Sequence, residues 1–175
     1  MKWMKIVQVC VGSLVLAWST GTLADEHGST GKTAPASAAT SFNAKIIEEF
    51  RANEGKVGGM FANANVLLLQ TTGAKSGLPR VVPLVYLKDD GRIVVIASKG
   101  GSPSHPHWYN NLVANPDVRV EVGAEQFDAL ATVAQEPERT QLYAQMEAVS
   151  PAFTTYKQQA APRVIPVIIL TRKPE

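Results

Sequence analysis

Cysteine is almost missing from this chain of 175 residues, and the single one, Cys10, lies in an apolar stretch near the start. One thiol excludes a disulfide framework and a thiolate metal centre, and removal of the N-terminal stretch would exclude a Cys nucleophile as well. Histidine is scarce: of three in all, His105 and His107 stand on either side of Pro106, with no further His or Cys nearby to complete a metal site. An excess of one charge is also lacking. The formal balance is +2, and without Lys2 and Lys5 there are 15 basic and 15 acidic residues, which argues against a broad nucleic-acid surface. No Gly-x-Ser-x-Gly elbow, Walker string or Gly-x-Gly-x-x-Gly fingerprint occurs, so serine hydrolysis, a triphosphate loop and a Rossmann site have no support.

What is present begins with Met1-Lys2-Trp3-Met4-Lys5, an apolar run from Ile6 to Trp18, and small residues up to Ala24. A basic start, an apolar middle and Thr22 and Ala24 at the small-residue positions predict a secretory signal peptide over 1–24, cleaved after Ala24. Export to the periplasm or cell envelope follows. The run is interrupted by Gln8, Gly12 and Ser13 and is short for a membrane span, an uncleaved membrane anchor being the alternative. Residues 25–41 are small and polar without apolar periodicity, and read as a disordered linker. The folded domain is expected over 42–175.

Phe42, Ile46, Ile47 and Phe50 recur at helical spacing. Val66–Leu69, Val81–Leu87 and Ile93–Ala97 are short apolar runs rich in β-branched residues, and read as strands covered on both faces. Val118, Val120 and Val122 alternate with Arg119 and Glu121, and Phe127, Ala129, Ala131 and Val133 alternate in the same way, as strands with one wet face do. Val164–Leu170 supplies the last strand. Helices are expected over His105–Asn115, between Pro106 and Pro116, and over Pro137–Val149. Short links after the first, second and fourth strands fit hairpins, so the fold is expected to be α+β, a small and mostly antiparallel barrel closed against exposed edges.

Two loops carry the chemical candidates. In TTGAKSGLPR (71–80) glycines expose backbone N–H groups, Ser76 adds a hydroxyl, and Lys75 and Arg80 bring two cations to one turn, which fits an anion such as phosphate. An ordinary basic surface hairpin is the plain alternative. In ASKGGSPSHPHWY (97–109) glycines allow close approach of a flat ligand and Trp108 is available for stacking. The alternative there is that Ser104 caps the helix while Trp108 packs into the core.

Three segments carry a resemblance: LQTTGAKSGLPRVVPL (69–84), VVIASKGG (94–101) and PHWYNNLVANP (106–116), joined by RVIPV (163–167) in the closing strand. In order and spacing they are similar to the deazaflavin-dependent nitroreductase family, from about Gly58 to Leu170. The resemblance implies a split β-barrel related to flavin-mononucleotide-binding oxidoreductases, with reduced coenzyme F420 as hydride donor to a quinone, nitroaromatic or similar small-molecule acceptor, FMN being the alternative cofactor. By motif position it implies that Lys75, Ser76, Gly77, Pro79 and Arg80 hold the coenzyme's phosphate and acidic tail. Ala97, Ser98, Lys99 and Gly100 would border the ring system, and Trp108 and Tyr109 would complete the pocket wall. Where family members present tyrosines, this chain has Ser150 and Phe153, and only Tyr156 remains; Ser98 and Tyr156 are therefore the expected catalytic donors to the acceptor. A non-catalytic exported carrier for a flavin-like or apolar ligand stays open beside the enzyme. Doubly apolar strands would suit a homodimer, and a quinone or a retained leader would bring the protein near a membrane.

Overall fold

A computed structural model describes residues 38–174, with side chains from Phe42 onward. The segment read as a signal peptide and most of the expected linker lie outside the described residues. Helix α1, Ala38–Ala52, begins inside that linker, because Ala38 and Ala39 are strong helix formers and prolong the periodic stretch upstream. Ile46 and Phe50, one turn apart, are its buried face.

Six strands follow: β1 (Val66–Thr72), β2 (Pro79–Asp89), β3 (Arg92–Ile96), β4 (Asp117–Val122), β5 (Glu125–Val133) and β6 (Val167–Arg172). They close into a barrel in the order β1-β2-β3-β6-β5-β4, and every pairing is antiparallel. The three expected hairpins are β1–β2, β2–β3 and β4–β5. Closure comes from three pairings between distant segments, β1 with β4 (Leu68 opposite Glu121), β3 with β6 (Ile93 opposite Leu170) and β5 with β6 (Ala131 opposite Leu170). Leu67, Leu69, Val95, Val120, Ala129 and Ile168 fill the interior. A second cluster lies between the outer face of β3 and β6 and helices α3 (Glu138–Val149) and α4 (Ala152–Ala160), and a third lies under α1.

Four details differ from the expectation. Strand β2 is only half-buried from Val81 to Val85, because α1 covers just part of its outer face. Glu121 is buried at 9% exposure rather than wet; Arg51 of α1 grips it with Nε to Oε2 at 3.0 Å and Nη2 to Oε1 at 2.6 Å. The last strand begins at Val167, not Val164: Pro166 has no N–H to give a ladder, and Val164 is exposed. Helix α4 was not among the expected elements, although Phe153 and Ala160, seven residues apart, mark its buried face.

Candidate functional site

The first bend joins β1 to β2. Gly73 donates to the carbonyl of Leu78 at 2.9 Å and Gly77 to that of Gly73 at 2.8 Å, closing a tight turn. Gly77 has φ +67°, which a side chain would strain. Ser76 Oγ accepts the Leu78 N–H at 3.3 Å. Lys75 and Arg80 are exposed, and among the described residues no carboxylate pairs with either, whereas Arg51, Arg92, Arg139, Arg172 and Lys173 are all in ion pairs. Lys75 on the turn and Arg80 at the start of β2 add positive charge that no carboxylate among the described residues neutralises.

The second bend follows β3. Ala97 and Ser98 are buried, and Lys99, Gly100 and Gly101 then turn through three consecutive left-handed residues, φ +51°, +59° and +79°. Lys99 is not a glycine, so its conformation stores of order 1 kcal/mol of strain that the surroundings must hold. They do so from one side. Arg163 donates to the carbonyls of Ala97 (3.3 Å), Ser98 (2.8 Å) and Ser102 (2.6 Å from Nη2 and 3.0 Å from Nε). Gly101 packs on α4 beneath Tyr156, and the Tyr156 ring meets Phe153 edge to face at 5.5 Å. Lys99 Nζ donates to Ser104 Oγ at 2.8 Å.

Helix α2, His107–Ala114, leads away from this bend. It starts at Pro106 with no side-chain cap, so Ser104 does not cap it. Trp108 is buried and belongs to the barrel-interior cluster with Leu67, Leu69 and Val95, where a large apolar ring gains from leaving solvent. Tyr109 beside it is half-buried and its ring lies 4.7 Å from His105. Burial, assisted by the positive Arg163, holds His105 below the usual imidazole range. The guanidinium Nη1 stands 3.4 Å from His105 Nδ1, and since arginine only donates, Nδ1 accepts and the neutral ring carries its proton on Nε2.

One side chain ties helix α2 to the first bend. Asn111 of α2 accepts the Ala74 N–H at 3.0 Å through Oδ1 and donates through Nδ2 to Thr71 Oγ1 at 3.1 Å. The helix that leaves the second bend is thereby fastened to the first. Asn111 and Arg163 stand within the quoted segments, yet nothing in the sequence marks them, because their partners lie 37 to 66 positions away. A cleft of about 220 Å³ borders Tyr109, Arg139 and Ile165; Lys75 and Arg80, both exposed, and Ser98, buried, do not line it.

Residues 44–172 match the family model described as F420H(2)-dependent quinone reductase. An F420H(2)-dependent quinone reductase of Mycobacterium tuberculosis is 39% identical over 128 residues, spanning 71% of this chain and 85% of that protein. Among solved structures, an F420-H2 dependent reductase (FDR-A) is 38% identical with TM-score 0.56, over 61% of this chain and 93% of that one. Another, described as a domain-swapped dimer, is 34% identical with TM-score 0.58, over 74% and 95%.

Proposed function

Because the chain belongs to the F420H(2)-dependent quinone reductase family, we propose that its two bends together seat coenzyme F420, with Lys75 and Arg80 on the acidic tail and Ala97–Gly100 beside the ring. The protein is an oxidoreductase that passes a hydride from reduced F420 to a quinone. When bound, the coenzyme supplies the hydride. The residues supply the rest: two cations for an anionic tail, a glycine-bearing bend for the ring, and a side-chain link from the tail turn to α2.

The observation that carries this reading is the Asn111 bridge between a turn bearing two unpaired cations and the helix that leaves the glycine bend. Charged hydrogen bonds to phosphate or carboxylate are the strong ones, and a fixed spacing between tail and ring sites gives length selectivity. Around the ring, Ser98 and Tyr156 are the hydroxyl donors for the reduced acceptor, a quinone or a nitroaromatic. With tyrosine replaced by Ser150 and Phe153, the acceptor meets fewer donors, and orientation supplies most of the rate. Titration of the purified protein with F420, followed by oxidation of the reduced coenzyme with and without a quinone, tests the reading. Oxidation that needs both protein and quinone supports it; tight binding without turnover would make the protein a carrier.

Two further readings belong here. The half-covered apolar face of β2 from Val81 to Val85 favours a homodimer, which light scattering would detect. Residues 1–24 read as a leader would place the domain outside the cytoplasm or against a membrane that holds the quinone, and the N-terminal sequence of protein recovered from the envelope would test that.

A further inference from the structure

We propose that Arg163 is a positioning residue, whose guanidinium holds the bend from Ala97 to Ser102 in the shape the coenzyme ring requires; this rests on the bend being the ring site. The guanidinium occupies the concave side of the bend and donates to carbonyls at both of its ends, Ala97 and Ser98 before the turn and Ser102 after it. Between those anchors lie the three left-handed residues, including strained Lys99. Nothing else among the described hydrogen bonds ties one end of the bend to the other through a side chain. Burial lowers the guanidinium pKa, an arginine stays protonated in proteins, and among the described residues it has no carboxylate partner. Its charge is balanced by carbonyl oxygens and by the accepting Nδ1 of His105.

A residue placed in this way has an arginine-specific task. The planar fork reaches Ala97, Ser98 and Ser102 together, whereas an ammonium is a compact point charge with no fixed fork. Arg139 is the natural comparison: its Nε and Nη2 also clasp one carbonyl, that of Ile165, on the same connecting segment but away from the bend. Both arginines brace the segment, and only Arg163 touches the bend.

The test uses the full chain with Arg163→Lys, Arg163→Ala and Arg139→Lys. In Arg163→Lys, the F420 dissociation constant and the KM for reduced F420 should both rise at least tenfold, a larger change than the fall in kcat at saturating coenzyme, since the fork acts first on the shape of the binding bend. Arg139→Lys should leave both binding constants unchanged. Equal F420 affinity in folded Arg163→Lys and wild type would overturn the positioning role and leave the site reading intact. Absence of F420 binding by the wild type would overturn both. Should neither Arg163 variant fold, the wild type decides: its Arg163 Nε–H proton should exchange slowly and its resonance should move on adding F420, and a proton that exchanges freely and ignores the coenzyme overturns the proposal.

Discussion

Gly101 lies so close beneath Tyr156 that a Cβ built on it would stand 3.1 Å from the Tyr156 Cα and 2.6 Å from Oε1 of Gln159. The glycine is required twice, for that contact and for its φ of +79°. Helix α4 can therefore rest directly on the second bend. Gly101→Ala should destabilise the protein by about 1–3 kcal/mol and weaken F420 binding, read by thermal unfolding and by titration. A variant as stable as wild type would mean that α4 moves aside freely.

Lys75→Ala and Arg80→Ala should each weaken F420 binding by about 1.5–3 kcal/mol, the worth of a charged hydrogen bond. Among the described residues neither cation has a carboxylate partner to lose, so stability should hardly change. The loss should shrink as salt rises, and Lys88→Ala, exposed on β2, should bind as wild type does.

Asn111→Ala removes both the acceptor of the Ala74 N–H and the donor to Thr71 Oγ1, and Thr71 is almost wholly buried. A cost of about 1–2 kcal/mol in stability is expected. Coenzyme affinity should fall further than stability, because the tail turn loses its link to α2. Denaturant unfolding and titration on the same preparation separate the two.

The Arg51–Glu121 pair fastens α1 to β4. Hydrogen bonds from Arg51 hold the Glu121 carboxyl below its usual range. A carboxyl depressed in the folded state contributes stability above its unfolded pKa, about 4.3, and that contribution is lost as pH falls through the folded value. Glu121→Gln should flatten stability over that acid window and, with Arg51 half in solvent, cost only about 1 kcal/mol at neutral pH. Thermal midpoints across pH measure both.

His105 titrates in another window. Burial and Arg163 depress its folded pKa, so its contribution is complete above about pH 6.5 and is lost as pH falls below it. Arg163 and the Tyr109 ring are the groups facing it. Binding of F420 should weaken in the same range, and His105→Gln, whose amide can still accept from Arg163, should remove that part of the dependence.

The barrel is legible in the sequence wherever burial sets the pattern: β1 and β3 as unbroken apolar runs, β4 and β5 as alternation. The two bends are legible through glycine and through Lys75 and Arg80, which leave local signatures. Glu121 is misread because alternation marks it as wet, and only a partner 70 positions away makes it a buried ion. Arg163 and Asn111 are illegible for the same reason, since a hydrogen bond across the chain leaves no periodic trace. Trp108 is ambiguous, because a large aromatic ring suits a core and a ligand equally until its neighbours are known.

The closing pairings of β1 with β4 and β3 with β6 have a kinetic consequence. Contacts so remote along the chain form late and slowly during folding, and Arg163, just ahead of β6, reaches its carbonyls only once the final strand is in register. A ligand that binds only the closed barrel would stabilise molecules that have already shut.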